Sequence, residues 1–189
     1  GVLMDEKFED GVSLLWTSGV KEANRVSDNG GYAYRFGVNP APWQGPLRLE
    51  KWDGVAGWED AALTFSYRLS EVPPSKQKLL TIVTRARTPR WSQHGLSHTL
   101  LKDGQSLRIL ANPQGGSWEL ARSVVDAEGR RTGYDSVQVP GLDTASHVFS
   151  IRLQGDTTTV LLDGSQCAVF DDTPMTGAAF GLRGSRALN

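Results

Sequence analysis

Apolar and polar residues alternate in short segments throughout the chain. In the clearest two, apolar residues occupy every second position from Leu63 to Leu69 and from Phe149 to Leu153. Alternation with a period of two indicates strands that bury one side and expose the other, as antiparallel sheets do. Helical periodicity is confined to the short segment 20–26. The pattern therefore predicts an all-β chain with little or no helix.

Turn-forming residues separate the alternating segments. Asp-Gly pairs recur at residues 10–11, 53–54, 103–104 and 163–164, and Pro73-Pro74 marks a sharp connection between two strands. Asp-Gly pairs supply the positive φ angles that tight hairpins need. Many short strands with regular turns predict a sandwich or barrel. Its core is predicted to include Phe65, Tyr67, Phe149, Ile151 and Leu162.

Length and charge limit the classes of protein to consider. The 189 residues fit a single domain, 1–189, and carry 20 Lys and Arg against 21 Asp and Glu. Without a basic excess, we expect no nucleic-acid partner, and without a long apolar run we expect no membrane insertion. Cys167 is the only cysteine, which excludes an intramolecular disulfide. We predict a free thiol that packs within a strand at 166–170. The oligomeric state stays open.

Three groups of segments carry a family resemblance. They are Phe8-Glu9-Asp10-Gly11 followed by Trp16-Thr17, the stretch from Trp58 to Arg68, and the closing hairpins at 147–164 and 180–183. In this order they resemble the concanavalin A-like lectin/glucanase superfamily in its laminin-G-like branch. The chain is also similar to carbohydrate-binding modules of bacterial glycan-degrading hydrolases and to 3-keto-disaccharide hydrolase-type domains. The resemblance implies a two-sheet antiparallel jelly-roll sandwich and a secreted, extracellular or periplasmic protein.

The tryptophans and arginines are candidates for glycan binding. An indole stacks on the flat face of a sugar ring, although indoles also fill sandwich cores. By strand alternation Arg48, Glu50 and Trp52 share one face, and guanidinium groups bind hydroxyls or carboxylates in two parallel bonds. A solvated sheet face is the alternative for the charged residues. The predicted ligand-binding residues are Arg48, Glu50, Trp52, Arg85, Arg87, Trp91, His94 and Trp118.

Catalytic signals are weak in this sequence. Glycoside hydrolysis needs two carboxylates across the scissile bond, whereas the adjacent Glu59 and Asp60 point to opposite faces of a strand. We therefore predict a non-catalytic lectin-like module that binds an oligo- or polysaccharide and is part of a larger glycan-degrading or adhesive protein. The alternatives are a small glycoside hydrolase or polysaccharide lyase with dispersed catalytic residues, and a laminin-G-type protein-binding adhesion domain.

A structural calcium ion is the one cofactor that the resemblance implies, and no cofactor is required for binding. Carboxylates and backbone carbonyls near the chain termini hold such an ion in related sandwiches. The matching acidic residues here are Glu9, Asp10, Asp171 and Asp172. Solvated acidic turns are the alternative.

Overall fold

The chain is all-β in the ranges that its computed structural model describes, which are residues 25–28, 30–34, 47–48, 60–86, 88–89, 101–102, 104–171 and 179–184. The strands there are β1 (Arg25–Asp28), β2 (Gly31–Tyr34), β3 (Leu47–Arg48), β4 (Ala61–Tyr67), β5 (Gln77–Ala86), β6 (Thr88–Pro89), β7 (Leu101–Lys102), β8 (Gly104–Asn112), β9 (Ser117–Val125), β10 (Arg131–Pro140), β11 (His147–Gln154), β12 (Thr157–Leu162), β13 (Ser165–Asp171) and β14 (Ala179–Gly184). A 3₁₀ turn, Pro113–Gly115, is the one helical element within these ranges, and none of them holds a helix able to cross a membrane.

Two antiparallel sheets form a sandwich. One has six strands in the order β10-β9-β8-β5-β14-β3, and the other has four in the order β13-β12-β11-β4. The chain crosses between the sheets from β4 to β5, from β10 to β11 and from β13 to β14, as in a jelly roll. Separate two-stranded ladders join β1 to β2 and β6 to β7. The predicted two-sheet sandwich is confirmed.

The core lies between the two sheets. Phe149 and Ile151 are fully buried as predicted, whereas Phe65, Tyr67 and Leu162 are partly buried and pack against the same cluster. Phe149 is the register partner of Phe65, and their rings stack with centroids 5.8 Å apart. Alternation in these strands therefore identified the face that each one buries.

Cys167 lies in β13 where the register with β12 shifts. The thiol is free, partly buried against the core, and donates to the carbonyl of Val160 at 3.3 Å. Burial raises the pKa of this thiol. The predicted free thiol with a packing role is confirmed.

The turn at 163–164 and the connection at 73–74 lie where the sequence predicts them. Asp163 and Gly164 join β12 to β13 with φ angles of 51° and 82°, so the Asp-Gly pair adopts the two positive φ angles of a type I′ hairpin. Pro73 and Pro74 lie in the connection from β4 to β5. In the segment of helical periodicity at 20–26, Arg25 and Val26 belong to strand β1 instead, and residues 20–24 lie outside the described residues.

Buried polar side chains tie the two sheets together. Nε2 of Gln105 in β8 donates to Oγ1 of Thr158 in β12 at 2.8 Å. Arg122 in β9 is buried and donates to the carboxylate of Asp135 and to the carbonyl of Asp171 across the sandwich. Its guanidinium also lies over the ring of Phe170, 5.5 Å from the centroid. These contacts fix how the sheets face each other.

Candidate functional site

Three of the predicted ligand-binding residues, Arg48, Arg85 and Trp118, lie in strands of the six-stranded sheet. Arg48 lies in β3 and Arg85 in β5, and β14 runs between these two strands. Gly181 of β14 pairs with Arg48 on one side and with Val83 of β5 on the other. The two arginine strands thus share a sheet without being neighbours. The candidates outside the described residues are Glu50, Trp52, Arg87, Trp91 and His94.

Trp118 is a core residue, so the prediction that it binds a ligand is wrong. Its indole is fully buried and meets the rings of Tyr67, His147 and Phe149 edge-to-face, with centroids 5.5–6.5 Å apart. Its Nε1 donates to the carbonyl of Gly141 at 3.1 Å. An enclosed indole whose N–H is already bonded offers no face for a sugar.

The outer face of β9, opposite the face that carries Trp118, carries a polar cluster. Leu107 and Leu120 point into the core, so the residues that alternate with them, such as Glu119, lie on the outer face of the six-stranded sheet. Register places Ser117 beside Asn112 and Glu119 beside Gln138. We call Lys76, Asn112, Ser117, Glu119 and Gln138 the Glu119 cluster.

Hydrogen bonds connect all five side chains of the Glu119 cluster. Oε2 of Glu119 lies 2.5 Å from Nζ of Lys76 and accepts from Nε2 of Gln138 at 2.7 Å. Oε1 of Gln138 accepts from Oγ of Ser117 at 2.7 Å and from Nδ2 of Asn112 at 3.2 Å. Each side chain is held by another one, so their rotamers are fixed before any ligand arrives.

Local structure explains why this cluster forms at the end of the sheet. The 3₁₀ turn Pro113–Gly115 ends at Gly116, whose φ of 56° is the left-handed conformation that glycine adopts easily. The N–H of Gly116 donates to the carbonyl of Pro113 at 3.2 Å. This tight return starts β9 directly opposite the end of β8, which places Ser117 and Asn112 side by side.

Glu119 is ionised in this setting. Burial by itself would raise the pKa of the carboxyl group, but the hydrogen bonds from Lys76 and Gln138 outweigh burial and hold that pKa below its usual value. The side chain of Glu119 is 4% exposed, whereas that of Lys76 is 51% exposed. The cluster therefore keeps a buried anion next to an accessible cation.

Several polar atoms of the Glu119 cluster have no hydrogen-bond partner within the described part of the chain. Both contacts of Glu119 use Oε2, which leaves Oε1 as an acceptor, and Oδ1 of Asn112 is a second acceptor. Lys76 has three N–H donors and uses one on Glu119. Acceptors and donors are thus available side by side, as a sugar hydroxyl group requires.

An exposed aromatic ring lies on the same face. Tyr134 in β10 is 48% exposed and pairs with Ser123, while Gln138 lies four residues further along β10. At 3.3 Å per residue the separation is about 13 Å. The guanidinium of Arg131 lies over the tyrosine ring, 5.3 Å from its centroid. A ligand spanning several sugar units can contact both the ring and the Glu119 cluster.

A second polar cluster surrounds His147. Nδ1 of His147 lies 2.7 Å from Asp163 and Nε2 lies 3.0 Å from Asp143. Asp163 also accepts from the N–H of Val148 at 2.8 Å, and Asp143 accepts from the N–H of Ala145 at 2.6 Å. Both ring nitrogens are occupied, so His147 links two loops and has no nitrogen left for a ligand.

Of the four residues predicted to bind calcium, only Asp171 lies among the described residues. The backbone carbonyl of Asp171 accepts a hydrogen bond from the Arg122 guanidinium. Calcium binds oxygen ligands such as this carbonyl, but the positive charge of Arg122 beside it opposes a calcium ion there. The described residues contain no group of three or more metal-binding side chains. Glu9, Asp10 and Asp172 lie outside the described residues, and the calcium ion stays a prediction.

Sequence reasoning missed the Glu119 cluster for an identifiable reason. The order Ser-Trp-Glu-Leu at 117–120 carries the alternation signal that places Glu119 opposite Trp118. Gln138 and Lys76 are distant in sequence, and only the strand register brings them to Glu119. The sequence shows the alternation along β9, but it does not show which strands pair with β9.

Solved structures match the chain, whereas no family model and no curated protein does. The chain is similar to the carbohydrate binding module CBM66 from Bacillus subtilis (10% identity over 84% of this chain and 81% of that chain, TM-score 0.43). It is also similar to sheep galectin-11 in complex with glycerol (12%, 78% and 93%, TM-score 0.44) and to a Bacillus licheniformis beta-glucanase (13%, 69% and 56%, TM-score 0.39). At such low identities and TM-scores these likenesses assign no function.

Proposed function

We propose that this chain is a lectin-like module that binds glycans on the outer face of its six-stranded sheet, across the Glu119 cluster and Tyr134. We further propose that it acts outside the cytoplasm, where polysaccharides and glycoconjugates are displayed. The observation that carries the proposal is the set of prearranged donors and acceptors around Glu119, on the same face of the sheet as an exposed aromatic ring.

Sugar chemistry matches this arrangement. Each hydroxyl group both donates and accepts, so a sugar is held best where carboxylate, amide and ammonium groups lie close together. Oε1 of Glu119 accepts from one hydroxyl, and the ammonium group of Lys76 donates to its neighbour. Because Glu119 is buried and held by two partners, it loses little conformational freedom on binding, which favours affinity.

Titration calorimetry on a glycan selected from an array tests the proposal. Gln138→Ala removes the amide that joins Glu119 to Ser117, and we expect about tenfold weaker binding, since one such hydrogen bond contributes about 1–1.5 kcal/mol. Tyr134→Ala is expected to weaken binding of longer glycans more than of monosaccharides, because only longer ones reach the ring.

Matched controls lie on the other sheet. Gln154 and Val169 are exposed there, so Gln154→Ala and Val169→Ala remove side chains of comparable exposure from a face outside the proposed site. We expect both control variants to bind like the parent chain. Thermal unfolding of each variant checks that it is folded. Equal binding by folded Gln138→Ala, Tyr134→Ala and parent protein would overturn the proposed site.

A further inference from the structure

We propose that the glycan bound on this face is acidic and carries carboxylate or sulfate groups. This inference rests on the proposed function and specifies its ligand class. Its basis is the charge of the outer face, where the described side chains include four cations, Lys76, Lys78, Arg108 and Arg131, and one carboxylate, Glu119.

The single carboxylate on this face is already neutralised. Glu119 is buried and lies 2.5 Å from Nζ of Lys76. Its charge therefore does little to repel a bound anion. Arg108 and Arg131 lie on the same face and form no ion pair with a carboxylate of the described residues. The described side chains of this face thus carry a net positive charge, although the whole chain has a net charge of −1.

Arg108 is at the centre of this cationic surface. It lies in β8, pairs with Ala121 on one side and with Thr81 on the other, and is half-buried. Both of its register partners have small side chains. Among the described residues it has no carboxylate partner, so its planar donors can bind an anion in two parallel bonds.

Strand register extends the row of basic positions across the sheet. Thr81 pairs with Arg183 of β14, which lies two strands from Arg108, at about 10 Å. Arg48 in β3 pairs with Gly181 of β14. Arg183 thus lies in one register row with Arg108, with Thr81 between them, whereas Arg48 lies in the row of Gly181, two residues along β14. Two basic positions about 10 Å apart in one row suit an extended acidic glycan better than a single small anion.

Binding assays with oligosaccharides of equal length test the inference. The probes are an oligogalacturonate, a sulfated heparin oligosaccharide, a neutral gluco-oligosaccharide and a single-stranded DNA oligomer. We expect one or both acidic oligosaccharides to bind more tightly than the neutral one, with affinity that falls as salt is added. The two acidic probes show whether carboxylate or sulfate is preferred.

Arginine variants complete the test. Arg108→Ala is expected to weaken binding of the acidic oligosaccharide about tenfold, the effect of losing one charge-assisted contact. Arg152→Ala, which removes an exposed arginine from the other sheet, is expected to leave it unchanged. Equal losses from both variants would overturn the inference, because the effect would then report overall charge.

The remaining outcomes separate this inference from the proposed function. Equal or tighter binding of the neutral oligosaccharide, unaffected by Arg108→Ala, would overturn the acidic ligand and leave glycan binding intact. DNA bound as tightly as the acidic oligosaccharide would also overturn the inference, since charge without sugar recognition would then explain binding. Binding of no oligosaccharide of either kind would overturn both proposals.

Discussion

Trp118 and Glu119 are adjacent in β9 and point to opposite faces of the six-stranded sheet. The indole is enclosed by three aromatic rings, while the carboxylate is held on the outer face by Lys76 and Gln138. Successive residues of a strand point to opposite faces of the sheet, so these two neighbours have different environments. Tryptophan content alone is therefore a poor guide to a sugar site, because the same ring serves a core equally well.

The core position of Trp118 predicts a large effect on stability. Trp118→Ala is expected to lower the free energy of unfolding by about 3–5 kcal/mol, through lost apolar contacts and the cavity left behind. Trp118→Phe should cost less, but it loses the hydrogen bond from Nε1 to Gly141, worth about 1 kcal/mol. Urea unfolding measures both. A cost below that of the exposed-site variant Tyr134→Ala would contradict the placement of Trp118 in the core.

His147 and the two aspartates that hold its ring, Asp143 and Asp163, join three parts of the fold. His147 begins β11, Asp143 lies in the loop from β10 to β11, and Asp163 lies in the turn from β12 to β13. The imidazole also packs edge-to-face on Trp118 of β9, with centroids 5.5 Å apart. The imidazole lies between two carboxylates and holds these loops at one end of the sandwich.

This cluster makes stability depend on pH in a defined direction. The hydrogen bond to Asp163, followed by that to Asp143, raises the pKa of His147. A raised folded pKa means that the histidine stabilises the fold fully below its unfolded pKa of about 6.5. That contribution disappears as the pH rises through the folded pKa. Urea unfolding at a series of pH values should show this loss in the parent chain.

Asp143 and Asp163 make the stability of the fold decrease at low pH. His147 lowers the pKa of Asp163, and the N–H of Ala145 and then His147 lower that of Asp143. Their contribution is present above an unfolded pKa of about 3.9 and is lost as the pH falls through their folded pKa values. His147→Gln should remove the loss at rising pH and reduce the loss at falling pH, because the N–H bonds of Ala145 and Val148 to the aspartates remain. Gln154→Ala should retain both. Parallel pH profiles for the parent and His147→Gln would contradict the ion pairs.

At the scale of the whole molecule, the sequence predicted the sandwich well and the site poorly. Alternation identified the inward faces of β4 and β11, and the Asp-Gly pair identified the turn at 163–164, because these signals are local. The order of strands within a sheet is not local. Arg48 and Arg85 were both predicted to bind the ligand, yet β14, more than ninety residues later in the chain than Arg85, runs between their strands.

The Glu119 cluster could not be predicted from the sequence for the same reason, because it depends on the order of strands. Lys76 precedes β5, Glu119 lies in β9 and Gln138 lies in β10. No spacing in the sequence relates these three residues, and the cluster exists only because the sheet order and register bring them together. Sites that are built across several strands follow from topology, whereas core positions follow from periodicity.

Two-dimensional ¹H–¹⁵N NMR shows whether glycans bind the outer face of the six-stranded sheet. Side-chain amide signals report the site itself. As a glycan selected from an array is added, we expect the side-chain amide signals of Asn112 and Gln138 to shift progressively. The signals of Gln154 and Gln166, exposed on the other sheet, should stay in place. Shifts of Gln154 and Gln166 with unchanged signals from Asn112 and Gln138 would contradict binding on this face.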